Sequence, residues 1–194
     1  MSFSAVILAG GKSSRMGRDK AFLELGGQTL LERQIALAEE AGAGEVFISG
    51  REGADYSRFS CPVIKDKVQD AGPLAGIESA LGMISSPLLL VLAVDLPEMN
   101  AMFLRSLFSQ CQNGMGAIPC VCGQVEPLAA FYPRTAKMFA ESLLRDENNS
   151  VTFLARHCVQ SKLARFVECG DHERKFFANW NSPAEISAFN EIKK

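Results

Sequence analysis

Residues 8–20 read LAGGKSSRMGRDK and follow the apolar run Phe3-Ser4-Ala5-Val6-Ile7. Gly10, Gly11 and Gly17 share this loop with Ser13, Ser14 and the cations Lys12, Arg15, Arg18 and Lys20. Glycine lets a ligand approach the backbone with no Cβ in the way. Amides and hydroxyls, bidentate arginine and the point charge of lysine are the donors that hold phosphate oxygens. Such a loop is suited to a compact polyanion such as a nucleoside triphosphate. Two common phosphate loops do not fit it. A Walker loop would place its first glycine at Val6, and a dinucleotide fingerprint needs G-x-G where Gly10 and Gly11 are adjacent. The alternative reading is a glycine-rich turn carrying solvated charges.

Carboxylates stand where a metal on that polyanion could be held. Asp95 directly follows the apolar run Leu88–Val94, and Mg²⁺ favours one or two carboxylates plus phosphate oxygens. Its alternative role is a helix N-cap before Pro97. Asp66 ends CPVIKD in the same way, with a turn aspartate as the alternative. Gly72-Pro73-Leu74-Ala75-Gly76 puts a helix N-terminus and two glycines close by, suited to contact with a base or sugar.

The elements that must carry these residues alternate between strand and helix. Strands are expected at Ser4–Leu8, Glu45–Ser49, Pro62–Lys65 and Leu88–Val94, the last apolar throughout, as a central parallel strand covered on both faces would be. Thr29-Leu30-Leu31-Glu32 is a capping box opening a helix that stops at Gly42, and Pro73 opens a second helix to about Ile84. A third helix is expected over Glu98–Cys111. Further on, strands are expected at Met115–Pro119, Leu128–Tyr132 and Leu163–Val167, with helices at Thr135–Arg145 and Ser150–His157. A second capping box at Ser182 opens a terminal helix to about Ile192. The fold class is α/β: three layers, a mostly parallel twisted sheet with helices on both faces. Ligands of such sheets bind outside the carboxyl ends of the strands, where residues 8–20 and Asp95 both fall.

Composition bounds the rest. At 194 residues, 47% hydrophobic and 22% charged, the chain suits one globular domain over 1–194. The net charge is −2, yet residues 10–20 hold four cations against Asp19, leaving 16 basic and 21 acidic residues elsewhere. A mostly acidic remainder argues against a nucleic-acid footprint and for a compact anionic partner. No apolar run is long enough to cross a bilayer and no secretory pattern opens the chain, so neither a membrane partner nor export is expected and the location is cytoplasmic. The six cysteines show no CxxC pairing and read as reduced core filler.

LAGGKSSRMGRDK, the hairpin Leu23–Gly27, VIKD at 63–66, GPLAG at 72–76, VDLP at 94–97, EPLAAFY at 126–132 and NWNSP at 179–183 together resemble the molybdenum cofactor guanylyltransferases, in order along essentially the whole chain. The resemblance implies a Rossmann-like fold of the nucleotide-diphospho-sugar transferase type. The implied nucleotide-binding half spans about 1–112 and the acceptor-binding half about 113–194. The implied reaction is Mg²⁺-dependent transfer of GMP from GTP to the terminal phosphate of molybdenum-loaded molybdopterin, with release of pyrophosphate. Carried over by position, the backbone of Leu8, Ala9, Gly10 and Gly11 holds guanine and ribose. Arg15 and Lys20 hold the triphosphate, Asp66 and Gly76 contact the nucleoside, and Asp95 binds Mg²⁺. Asn179 and Asn181 lie beside the pterin, and a molybdoenzyme or its chaperone is a further implied partner. Ser49 stands where the family often has asparagine, and a hydroxyl cannot make both amide hydrogen bonds. Gly10-Gly11 favours GTP, since related cytidylyltransferases tend to read LAAG. A CTP-dependent enzyme, another nucleotidyltransferase and a non-catalytic nucleotide-binding partner in cofactor insertion are the alternatives. Phe131, Phe176, Phe177 and Trp180 read either as pterin flanks or as core.

Overall fold

The computed structural model of the chain describes residues 1–10, 20–51, 53–64, 72–112 and 114–180. β1 (Phe3–Leu8) is buried at every position. It lies between β4 (Val46–Ser49) and β6 (Leu88–Ala93), parallel to both, with Val6 opposite Phe47 on one side and Val91 on the other. β5 (Val63–Ile64) extends the parallel set beyond β4. On the other flank β9 (Ala129–Pro133) runs antiparallel to β6. Next come β7 (Gly116–Val121), antiparallel to β9, and β10 (Ala164–Cys169), parallel to β7. The order is β10-β7-β9-β6-β1-β4-β5, a mixed, mostly parallel sheet.

Alternation along the central strands assigns the two faces. Ala5, Ile7, Leu88, Leu90 and Leu92 pack with α1 (Leu30–Ala41) and α3 (Ala101–Ser109). Val6, Leu8, Leu89 and Val91 pack with α2 (Pro73–Met83), α4 (Lys137–Arg145) and α5 (Val151–Gln160). A strand buried on both faces has no polar side to display, which is why LLLVLA is unbroken. α1 is framed as expected. Thr29 accepts from the Glu32 amide, Glu32 reaches back to the Thr29 amide, and Gly42 closes the helix at φ 106°. The hairpin before it, β2 (Glu24–Leu25) and β3 (Gln28–Thr29), turns on Gly26 and Gly27.

Two features depart from the expectation. The third helix starts later than Glu98 because the Met99 amide closes a turn on the Leu96 carbonyl and the Asn100 side chain caps the Phe103 amide. β8 (Gln124–Val125) pairs back on β7 through Cys122 and Gly123, both at positive φ, where a lone cysteine gives little turn signal. The terminal helix expected from Ser182 lies outside the described residues. No helix among the described residues is long and apolar enough to cross a membrane.

Candidate active site

Parallel pairing places the carboxyl ends of β1, β4 and β6 side by side, so the segments that follow them share one edge. The amides of Ala9 and Gly10 both donate to the Ser49 carbonyl, at 2.8 and 2.9 Å, and the Val94 amide donates to the Leu8 carbonyl at 3.3 Å. Leu8 and Ala9 are buried while Gly10 is exposed. With those two amides engaged on Ser49, a ligand contact made by the Ala9-Gly10 backbone goes through carbonyl oxygens, which recognise N–H donors. A Cβ built at Gly10 would lie 3.5 Å from the Gly50 carbonyl carbon, an ordinary contact, so the described residues leave room for a methyl there.

Lys20 opens a short 3-10 turn, Lys20–Phe22, anchored by fully buried Ala21 and by Phe22, whose ring stacks on Tyr56 at 5.6 Å. That anchor directs Lys20 across the edge to Asp95, with Nζ 3.1 Å from Oδ2 and each side chain about one-fifth exposed. Asp95 is not the cap of α3, because Asn100 fills that role. Its turn is tied down from both sides: Trp180 N–H donates to the Asp95 carbonyl at 3.2 Å, and Gln34 Nε2 of α1 donates to the Leu96 carbonyl at 2.8 Å.

Ser49 and Gly76 meet inside the protein. Ser49 is 4% exposed, and a Cβ at Gly76 would lie 2.2 Å from its Oγ and 3.3 Å from Leu8 Cδ2. The missing side chain at Gly76 lets α2 close onto the ends of β1 and β4. The space it leaves is filled by Ser49. Gly72, at φ 66°, precedes Pro73 at the first helical position, and the helix N-terminus faces solvent beside this edge.

Asn179 is exposed and immediately precedes Trp180, so the Trp180–Asp95 hydrogen bond brings it to the Asp95 turn. Trp180 packs partly against the α1 side of the core, and Phe131 and Phe177 are buried within it. Phe176 packs against Phe103 at 5.3 Å between ring centres. Gly11, Arg15, Asp66 and Asn181 lie outside the described residues. Sequence reasoning missed two residues near this edge. Gln34 falls three residues after Leu31 and four before Ala38, which marks it as a polar side chain on the buried stripe of α1. Glu126 lies one strand over: Ala93 N–H donates to the Leu128 carbonyl at 2.8 Å, carrying the β6–β9 pairing toward Asp95 and Glu126. It is half-buried, and burial pushes its carboxyl up. Cys111 and Cys158 are buried thiols pushed up to about 12 by desolvation, which keeps them inert.

Residues 5–162 match the family described as the MobA-like NTP transferase domain. The chain is 38% identical over 187 residues to a protein of Opitutus terrae named "Probable molybdenum cofactor guanylyltransferase", covering 95% of this chain and 93% of that one. Its fold superposes on molybdopterin-guanine dinucleotide biosynthesis protein A from Archaeoglobus fulgidus with a TM-score of 0.75 at 23% identity, over 98% of both chains. It superposes equally on 2-C-methyl-D-erythritol 4-phosphate cytidylyltransferase from Thermus thermophilus, TM-score 0.74 at 20% identity, over 100% of this chain and 99% of that one. The architecture is thus shared by proteins named for different bases. The matched span takes in β1 from Ala5 on, Lys20 and Asp95, and the chain belongs to the MobA-like NTP transferases, a family of nucleotidyltransferases.

Proposed function

We propose that this protein transfers GMP from GTP to the terminal phosphate of molybdenum-loaded molybdopterin, releasing pyrophosphate, as a Mg²⁺-dependent enzyme of the cytoplasm. The observation that carries the reading is the Lys20–Asp95 pair at the carboxyl edge of β6, in a chain whose relative of 38% identity is named for that transfer. The donor set fits Mg²⁺. Asp95 offers a partly exposed carboxylate at the carboxyl edge of the sheet. Mg²⁺ takes one or two carboxylates and completes its shell with phosphate oxygens and water. When bound, Mg²⁺ would neutralise charge on the triphosphate and on the leaving pyrophosphate.

The protein's own groups then have defined work. The carbonyls of Ala9 and Gly10 accept from the N1–H and amino group of guanine, held in place by the Ser49 carbonyl. Gly76 acts by letting Ser49 sit where it does. Lys20, released from Asp95 by the incoming triphosphate, moves its charge onto phosphate oxygens alongside Arg15, while Asp66 contacts the nucleoside and Asn179 and Asn181 the acceptor. A terminal phosphate oxygen of the acceptor forms a bond to the α-phosphorus of GTP. The bond from that phosphorus to its bridging oxygen breaks, and its electron pair leaves with pyrophosphate. No general base is needed, because a phosphomonoester with a second pKa of about 6 is already largely ionised at neutral pH. Both halves of the chain contribute to this one edge as a single domain.

Pyrophosphate release is measured with GTP and, separately, with CTP, using Mg²⁺ and molybdenum-loaded molybdopterin. Release from GTP alone is expected; release from CTP alone would overturn the choice of base. Asp95→Ala should lower turnover by at least about 100-fold, and Lys20→Ala should raise KM for GTP and slow transfer, each with an unchanged melting temperature. Activity near that of the unmodified protein in Asp95→Ala would overturn the metal assignment.

A further inference from the structure

Helix α1 buries Leu30, Leu31, Gln34, Ala38 and Ala41 against the sheet. The amide of Gln34 is out of place in that stripe, at 2% exposure. Its Nε2 donates to the Leu96 carbonyl at 2.8 Å, across 62 residues of chain. Its Oε1 is buried and has no hydrogen-bond partner among the described residues. An unmet buried acceptor opposes folding, and a methionine would fill similar volume without one. What glutamine supplies there and methionine does not is the donor to Leu96.

That donor reaches the turn carrying Asp95. The turn is held by Val94 N–H on the Leu8 carbonyl, by Met99 N–H on the Leu96 carbonyl, and by Trp180 N–H on the Asp95 carbonyl. Gln34 is the tie from α1, and the only side chain among these four contacts. Asp95 itself is not engaged in capping α3, so apart from the Lys20 ion pair the direction of its carboxylate depends on how this turn is fixed. We propose that Gln34 is a positioning residue: by donating to Leu96 from α1, it sets the turn that aims the Asp95 carboxylate at the nucleotide-bound divalent cation. This rests on the role of Asp95 given under the proposed function and adds α1 to the apparatus of the site. Groups that orient a metal-binding carboxylate typically change metal affinity or activity by 10- to 100-fold when removed.

The test is Gln34→Met in the full chain. Mn²⁺ binding in the presence of GTP is followed by loss of the free-ion electron paramagnetic resonance signal, beside steady-state kinetics and thermal melting. The expected result is a melting temperature equal to or above that of the unmodified protein, Mn²⁺ affinity weakened about 10-fold, kcat lowered about 10-fold, and KM for the acceptor unchanged. A lower melting temperature with unchanged Mn²⁺ affinity would make Gln34 structural and overturn the proposal. Asp95→Ala in the same titration separates the two assignments. Affinity lost in Asp95→Ala but kept in Gln34→Met overturns the role of Gln34 alone; affinity kept in both overturns the metal assignment and the role of Gln34 with it. Should Gln34→Met not fold, Gln34→Asn, one methylene too short to reach Leu96, is read in the same way. A chain that folds with neither variant would show the amide to be a structural requirement, against the proposal.

Discussion

Replacing Gly10 by alanine separates what the fold needs from what a base needs. The added Cβ would meet the Gly50 carbonyl carbon at 3.5 Å, the Gly50 oxygen at 3.6 Å and the Arg51 nitrogen at 3.7 Å, all ordinary contacts, and Gly10 is not in the left-handed region. Stability should therefore change by no more than about 0.5 kcal/mol, which for a chain of this size is a shift of about 2 °C or less in melting temperature. If guanine lies against this backbone, the same methyl intrudes on a purine and leaves a pyrimidine room. One methyl group in a substrate pocket is worth about 1–3 kcal/mol, or roughly 10- to 200-fold in kcat/KM. Gly10→Ala is thus expected to lower kcat/KM for GTP by at least about 10-fold relative to CTP. The assay is pyrophosphate release with each nucleotide, paired with a thermal melt of the same preparation. An unchanged GTP to CTP ratio with an unchanged melting temperature would show that Gly10 does not border the base. A large fall in melting temperature would refute the packing argument instead.

The remaining predictions concern the packing and the charge behind this edge. Gly76→Ala drives a Cβ to 2.2 Å from Ser49 Oγ, and overpacking of this kind costs about 1–3 kcal/mol, set against a helix gain of about 1 kcal/mol. Adding Ser49→Gly should recover most of the loss, so a double-mutant cycle by denaturant melts should show favourable coupling; strictly additive effects would refute the contact. Glu126 has its carboxyl raised by burial, so the folded state favours the protonated form. Its ionisation therefore weakens the fold as pH rises from the ordinary carboxylate range through the raised value. Glu126→Gln should melt higher than the unmodified protein at neutral pH, with the difference closing below about pH 4. A pH-independent difference would rule out burial of the charge as its cause.

Local signals were legible where one short stretch determines the outcome. The Thr29–Glu32 box and Gly42 frame α1 because capping involves groups a few residues apart. The onset of α3 was not readable from the apolar pattern, since the Leu96–Met99 turn and the Asn100 cap displace it by a few residues. β8 escaped because Cys122 at φ 49° is an unusual residue for a tight turn. In the site, Asp95 could be located as a carboxylate at a strand end, but that it does not cap α3 needed Asn100 in place. Gly76 is the sharper lesson. A glycine announces that something comes close, and the motif does not say that the Ser49 hydroxyl is one such neighbour.

The same non-locality bears on how the reaction could be primed. Lys20 and Asp95 are 75 residues apart and meet at 3.1 Å, each neutralising the other at an edge that must receive two polyanions. Under the proposed reaction neither charge is left unpaired when substrates arrive. Lys20 exchanges a carboxylate oxygen for phosphate oxygens, and Asp95 exchanges an ammonium for a divalent cation. Each partner is then replaced and not merely lost when nucleotide and cation arrive together. A cation would have to displace Lys20 from Asp95, and a nucleotide that drew Lys20 away without a cation would leave Asp95 facing phosphate. Under the proposed reaction the ion pair would couple the binding of nucleotide to that of the cation, with the Asp95 turn staying in place while its partner changes. The turn's ties to β1, to α1 through Gln34 and to the Trp180 amide do not involve the Lys20–Asp95 ion pair.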